Sequence, residues 1–235
     1  MESGGKARGA GPCVFWDWNG TLQDDVLAAV AGTNALLRDQ GKAEISVSRY
    51  RSVFSFPARG CYEALGIDVN EERWGAMCER FFGVFARDPA RRLFPGAREA
   101  LETLQSAGFA QVVVSSSEIT ALESALAGYG IRDFFAEVSG KSDAAAGSKV
   151  DAALAVFRRL GAARRDTWVV GDTGHDKEVA DALGCRCVLV SSGYESEERL
   201  RARGAPVVRS VAEVPAVILR DSRADAPCAI PTPRR

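Results

Sequence analysis

Apolar and polar positions change their rhythm twice along the chain. Residues 13–18, CVFWDW, form a short apolar run suited to a buried strand, and it ends on the carboxylate of Asp17. From Asp24 to about Arg91 no comparable β-rich run occurs. The stretches DVLAAVAGTNALLRDQG, SRYRSVF, ARGCYEALG and NEERWGAMCERFFGVFARD predict helices, so 24–91 reads as an all-helical insertion. Next, FPGAREALETLQSAG predicts a helix with Pro95 near its start and Gly108 at its stop, and AQVVVSSS predicts a strand. The alternation continues with helix 117–129, strand 134–138, helix 149–160, strand 167–171, helix 175–183, strand 186–190, helix 195–203, strand 206–209 and helix 211–219.

Strands alternating with helices predict an α/β class fold, a Rossmann-like parallel sheet with helices on both faces. The expected organisation is a core domain from 13–23 and 92–220, the inserted helical domain 24–91, and disordered ends at 1–12 and 221–235. The first end is Gly-rich and the second Pro-rich and charged, and neither buries enough apolar surface to offset its ordering entropy. Ligands of open parallel sheets bind outside the carboxyl ends of the strands. Asp17 to Thr21, Ser115 to Ser117 and Gly171 to Asp176 are therefore the segments to examine, with Lys149 joining them from a helix start.

Asp17, Asp172 and Asp176 follow two different strands that the sheet brings together. Carboxylates so placed repel unless a cation sits among them. A hard divalent ion fits: Mg²⁺ takes a few carboxylate and carbonyl oxygens, keeps several waters and completes its octahedron with phosphate. Helix N-capping is the structural alternative for Asp172 and Asp176, although a cap explains one acid and not the convergence. Ser115 follows three valines and precedes a predicted helix, so it is either a routine cap or part of an anion site. Lys149 begins KVDAALAVFRRLG, and a solvated surface lysine is its alternative.

Composition narrows the partners. Lys and Arg total 30 against 31 Asp and Glu, a formal charge of -1, which offers no general attraction to nucleic acid or an anionic membrane. The six cysteines, Cys13, Cys61, Cys78, Cys185, Cys187 and Cys228, show no metal-ligand spacing and read as reduced, mostly buried apolar residues. MESGGKARGAGP lacks the apolar segment of a secretion signal, and no run approaches the ~18 apolar residues of a membrane span. A cytoplasmic protein, monomer or homodimer, acting on a small molecule is the expectation.

The pieces DWNGTL at Asp17, the helical insertion after it, LFPGAREALETLQSAG, VVVSSS with Ser115, Lys149 and VVGDTGHDKEVADALG occur in an order that resembles the haloacid dehalogenase superfamily of aspartate-nucleophile hydrolases. More narrowly, the chain is similar to the phosphoglycolate-phosphatase-like members with a small helical cap, over residues 13 to about 220. The resemblance implies a phosphatase acting on a small phosphorylated metabolite, phosphoglycolate being the guess. It further implies Asp17 as nucleophile forming an aspartyl-phosphate, and Mg²⁺ held by Asp17, the main-chain carbonyl of Asn19, Asp172 and, directly or through water, Asp176. Ser115 and Lys149 would hold and neutralise the phosphoryl group, with Thr21 and Ser116 beside it. Lys149 is preferred to Lys141 for the lysine because its helix ends in RRLG, as the family pattern does.

Asn19 departs from the family pattern, which has a second Asp as acid and base at that position. An amide exchanges no proton at ordinary pH, and losing such a group typically costs ~10²–10⁴ in rate. Three readings follow: a phosphatase whose proton is handled by a good leaving group, by water or by His175; a related hydrolase such as a phosphonate-cleaving enzyme, for which Lys42 is the one lysine in the insertion; or a phosphate- and metal-binding protein with little turnover. The insertion is expected to close over the site as a cap with hinges near Gln23–Asp24 and Arg92–Leu93. Arg51 and Arg59 are candidate contacts to the leaving group, as is Tyr62, with solvated helix faces as the alternative. Trp74, Phe81, Phe82 and Phe85 read as the insertion's own core.

Overall fold

The computed structural model describes residues 11–141 and 148–224, and its centre is the fully buried apolar strand β1 (Cys13–Trp16). Seven further strands occur among the described residues: β2 (Gln23–Asp24), β3 (Arg92–Leu93), β4 (Ala110–Glu118), β5 (Glu137–Lys141), β6 (Thr167–Gly171), β7 (Arg186–Val190) and β8 (Val207–Val208). Six of the eight form one parallel sheet in the order β5-β4-β1-β6-β7-β8. The chain travels outward from β1 to β5, then crosses back to β6 on the other side. That reversal beside β1 is where open α/β sheets form their ligand crevice.

Between β2 and β3 lie four helices and no strand: α1 (Val26–Asp39), α2 (Val47–Val53), α3 (Ala58–Ala64) and α4 (Glu71–Phe85). β2 and β3 pair antiparallel, Gln23 with Leu93 and Asp24 with Arg92, at the positions expected for the hinges. The helices pack through Val26, Val30, Tyr50, Phe54 and Cys61 in one cluster and Leu36, Leu37, Tyr62, Ile67 and Met77 in another, with Trp74, Phe81 and Phe85 against them. Phe82 differs from the expected core set, being 59% exposed, because it falls on the outer side of α4.

The period-two alternation of β1 divides the main core. Val14 and Trp16 face α5 (Ala97–Ser106), α6 (Ile119–Gly128) and α10 (Val214–Ala224), while Cys13 and Phe15 face α7 (Lys149–Leu160), α8 (Gly174–Leu183) and α9 (Glu197–Arg201). Helices thus cover both faces, as the alternation of the sequence requires. No helix among the described residues is long and apolar enough to cross a membrane.

Several boundaries differ from expectation for local reasons. The strand expected at 134–138 begins only at Glu137. Arg132–Phe134 is a 3-10 turn, held by Arg132 Nη1 donating to the Phe135 carbonyl, and it buries Phe135 with the α5 and α6 side chains. The helix expected from 117 begins at Ile119, because β4 continues through Glu118 and that carboxylate caps α6. The final helix reaches Ala224, four residues into the segment expected to be disordered, and Pro12 accepts a sheet-edge hydrogen bond from Ala110. The rest of both ends, with Cys228, lies outside the described residues. Cys13, Cys61 and Cys187 are buried, Cys78 and Cys185 partly so, and all five are free thiols.

Leu101 on α5 is fully buried in the larger core. Leu101→Ala should lower the unfolding free energy by about 2–5 kcal/mol, measured by urea titration at constant m-value.

Candidate active site

Asp17 leaves β1 with its amide still donating to the Val170 carbonyl (2.9 Å), so its side chain starts at the sheet's carboxyl edge. The next residues fold into a tight loop in which the Trp18 carbonyl accepts from Thr21, Leu22 and Gln23. Gly20 adopts φ +77°, and a Cβ there would lie 2.3 Å from Asp172 Oδ2. A Cβ on Gly193, in the loop after β7, would lie 2.1 Å from the same oxygen. Asp172 is therefore gripped between two backbones that only glycine allows to approach. Thr21 Oγ1 donates to Asp172 Oδ1 (2.9 Å) and the Tyr194 amide to Oδ2 (2.6 Å), which makes Thr21 a brace for the carboxylate. Thr21 also lies 3.3 Å from Asp17 Oδ2.

Lys149 reaches this edge because of how its helix starts. Ser148 and Asp151 form a capping box, fixing Lys149 as the first residue of α7. Its ammonium donates to Asp17 Oδ1 and to Asp176 Oδ1 (2.6 Å), and the three side chains are 7%, 11% and 1% exposed. Lys141 ends β5 on the exposed surface. Asp176 satisfies both readings of the sequence: Oδ2 accepts from the amides of Asp172 (3.1 Å) and Thr173 (3.0 Å) and from Thr173 Oγ1 (2.7 Å) as a helix cap, while Oδ1 anchors Lys149.

β4 shifts register between Val114 and Glu118, freeing Ser115 to Ser117 from the ladder at the crevice edge. Ser115 is buried and does not cap α6; its Oγ accepts from the Ser117 amide (3.0 Å). Asn19 is fixed from both ends. Its Nδ2 donates to Asp25 Oδ2 (2.5 Å), and its Oδ1 accepts from Ser117 Oγ (2.6 Å). Asp25 is 1% exposed and does not cap α1 with its side chain, accepting instead from the Gly20 amide (3.1 Å) and Tyr194 Oη (2.8 Å). A crevice of about 40 Å³ joins Asp17, Asn19, Ser115 and Lys149. Ser116, Asp172, Thr173, Tyr194 and Phe56 complete its walls.

Burial dominates the electrostatics. It raises Asp17 to about 6 against the lowering pull of Lys149, and Asp25 to about 7 against its bonds from Asn19 and Tyr194. Asp172 is raised well above the usual carboxylate range by burial and by Asp17 and Asp176. Burial disfavours the Lys149 ammonium, but Asp17 and Asp176 more than offset it and hold the charge. Three carboxylates thus share one ammonium, with candidate ligand oxygens of Asp17, Asp172 and Asp176 within 4.8 Å of one another. The uncompensated negative charge and hard oxygen donors fit a divalent ion such as Mg²⁺. Asp17 and Asp172 have room for it, whereas Asp176 is already filled by four donors.

Two of the expected contacts go elsewhere. Arg51 donates through Nε to the Gly193 carbonyl (2.7 Å) and through Nη2 to that of Ser192 (2.5 Å), tying α2 to the loop after β7. Arg59 pairs with Glu63 and Glu71 and lies over Trp74 within the helical block. Neither lines the crevice, because backbone carbonyls and acids nearer in space take their guanidinium groups. Tyr62 is buried among the helices, and Lys42 donates to the Gly66 carbonyl at the surface of the same block. His175 meets Glu178 (2.9 Å) and the Phe56 ring (centroids 5.3 Å) just outside the lining. Asp25, Tyr194, Phe56 and Gly193 were not singled out from the sequence. QDD before a helix resembles an ordinary cap, and SSGY offers no local signal.

The haloacid dehalogenase-like hydrolase family matches residues 14–190. A phosphoglycolate phosphatase from Caulobacter vibrioides is 30% identical over 87% of this chain and 90% of its own. The probable phosphatase IndB from Dickeya dadantii is 28% identical over 84% and 88%. A haloacid dehalogenase-like family hydrolase from Streptococcus pneumoniae superposes with a TM-score of 0.75 at 17% identity, covering 88% of this chain and 97% of that one, a likeness of fold.

Carboxylates raised on folding bind more protons in the folded than in the unfolded chain. Without metal, stability should therefore fall as pH rises from ~3.9, the ordinary Asp value, through about 6 for Asp17 and about 7 for Asp25. Thermal melts from pH 5 to 7.5 should show that decline, and Mg²⁺ should raise Tm more at pH 7.5 than at pH 5. At 100 times its Kd the ion stabilises by about 2.7 kcal/mol.

Proposed function

The chain belongs to the haloacid dehalogenase-like hydrolases, and we propose that it is a Mg²⁺-dependent phosphatase that hydrolyses a small phosphate monoester through an aspartyl-phosphate on Asp17. One observation carries the reading: the Asp17 carboxylate faces a crevice shared with Ser115 and Asp172, and the only lysine there is bonded to it.

Asp17 serves as nucleophile, its carboxylate oxygen forming a bond to phosphorus as the ester oxygen departs. Lys149 orients that carboxylate and offers positive charge to the equatorial phosphoryl oxygens, and the hydroxyls of Ser115 and Ser116 are placed to donate to them. Water then attacks phosphorus and frees the carboxylate. Asp17, Asp172 and the main-chain carbonyl of Asn19 would hold Mg²⁺, which when bound neutralises charge on the phosphoryl group. Asp176 acts through Lys149 and the loop it caps.

Helices α1–α4 serve in this reading as the cap domain, with β2 and β3 as its base. The crevice of about 40 Å³ is far below the ~300 Å³ and more of small-molecule sites, so admission of an ester requires the helices to move away. A binding protein with little turnover is the second reading, favoured by the fully engaged amide of Asn19. Nothing in the crevice favours phosphonate cleavage, since Lys42 lies outside it.

Phosphate release from a panel of monoesters with Mg²⁺ tests the assignment. Asp17→Asn should lower turnover by ~10⁴ or more and Lys149→Ala by ~10²–10³. Unchanged turnover in Asp17→Asn would defeat the nucleophile assignment. Phosphate binding by the native chain without any release would establish the second reading.

A further inference from the structure

The proton inventory of the crevice is unusual for the hydrolysis of an alkyl ester. Asn19 lines the crevice beside Asp17, and both ends of its amide are committed, Nδ2 to Asp25 and Oδ1 to Ser117. Asp25 does not line the crevice, and it accepts from Asn19, Gly20 and Tyr194. The Tyr194 hydroxyl, the one acidic hydroxyl near the wall, points away to Asp25. Lys149 is engaged by Asp17 and Asp176 and must keep its charge for the phosphoryl group. Among the described lining residues, Asn19, Lys149, Tyr194 and Asp172 are thus each engaged by protein partners, which leaves only serine and threonine hydroxyls, weak acids, beside the departing oxygen.

The leaving-group side is equally specific. Phe56 is the one wall residue contributed by the helical block, and it is 46% exposed, with its ring edge-on to Phe54 (90°, 5.4 Å) and near His175. The arginines that might have met an anionic leaving group, Arg51 and Arg59, are held by Gly193 and Ser192 and by Glu63 and Glu71. An aromatic surface and no spare cation face the place where the alcohol half of the ester would sit.

We propose, on the premise of the phosphatase reading above, that the site is built for phosphate esters of acidic hydroxyls, and specifically for aryl phosphates whose ring lies against Phe56. A phenol, at a pKa of about 10, leaves as its anion far more readily than an alkoxide, whose parent alcohols approach the 15.7 of water. In the first step the Asp17 oxygen bonds to phosphorus, the phosphorus–oxygen bond to the aryl group breaks, and the electron pair leaves on the phenolate, which takes its proton from solvent. In the second, water adds to phosphorus as the bond from phosphorus to the Asp17 oxygen breaks, both protons of the water stay on oxygens of the released phosphate, and Asp17 is restored as carboxylate. No protein acid is consumed in either step.

The experiment measures kcat/KM with Mg²⁺ for substituted phenyl phosphates, acetyl phosphate, glycerol phosphate and phosphoglycolate. Turnover should fall steeply as the leaving group becomes more basic, with 4-nitrophenyl phosphate exceeding both alkyl esters by at least ~10². Phe56→Ala should raise KM for the phenyl esters by a larger factor than for acetyl phosphate. The exchange Asn19→Asp with Asp25→Asn keeps a donor facing an acceptor while moving the acid into the crevice. It should raise the alkyl esters by ~10²–10⁴ and change 4-nitrophenyl phosphate only a few-fold. If that double variant fails to fold, the leaving-group slope of the native chain decides alone. A flat slope, or phosphoglycolate turned over as fast as the phenyl esters, overturns the proposal. Acetyl phosphate matching the phenyl esters together with an unaffected Phe56→Ala overturns the aryl assignment. Turnover that survives Asp17→Asn, or none on any ester, instead defeats the phosphatase reading on which this one rests.

Discussion

Burying several carboxylates around a single ammonium is the constraint from which the rest of this structure follows. Asp17, Asp172 and Asp176 converge because β1 and β6 are neighbours, and their mutual repulsion is relieved by Lys149 alone among their hydrogen-bond partners. Each acid is accordingly pinned by donors: Thr21 and the Tyr194 amide on Asp172, and the capped start of α8 on Asp176. Fixed donors of this kind do not reorganise as charge develops, which is what makes such a site effective in phosphoryl transfer. The same rigidity explains Gly20 and Gly193, since any side chain there would occupy the space of the carboxylate.

The helical block is joined to this charge cluster through one residue. Tyr194 gives its amide to Asp172 and its hydroxyl to Asp25, while its ring stacks on Phe54 (4.9 Å) and meets Tyr50 edge-on (5.9 Å). Arg51 and Arg199 reinforce the joint by reaching backbone carbonyls across it. Displacement of α2 therefore disturbs the aromatic surroundings of the residue that orients a carboxylate of the crevice.

Much of this was legible in the sequence because the signals were periodic or terminal. The buried runs CVFW, QVVV, TWVV and CVLV are too apolar to lie anywhere but inside a covered sheet, and Asp17, Ser115 and Asp172 stand at their ends. Lys149 was legible as a helix start, since Ser148 and Asp151 have capping-box spacing. What escaped depended on partners distant in sequence. Arg51 looked available until Ser192 and Gly193, over a hundred positions away, were found to hold it. Asp25 gave no signal of its own, because its partners Tyr194 and the amide of Asn19 are set by the fold. The late start of β5 has the same origin, because the rings of Phe134 and Phe135 serve the α5 and α6 side and not a strand.

The two-residue ladder of β2 and β3 bears on how the chain assembles. Cys13 must pair with Ala110, nearly a hundred positions away, before the centre of the sheet exists. Once Gln23 has met Leu93 across the base of a folded helical block, the loop left for β1 to close shrinks to about a quarter of that length. At ~0.6 kcal/mol per doubling of loop length, this lowers the entropic cost of the first sheet contact by about 1.2 kcal/mol. The insertion, rather than delaying formation of the sheet, works as a local clasp that turns the long-range pairing of β1 with β4 into a medium-range one.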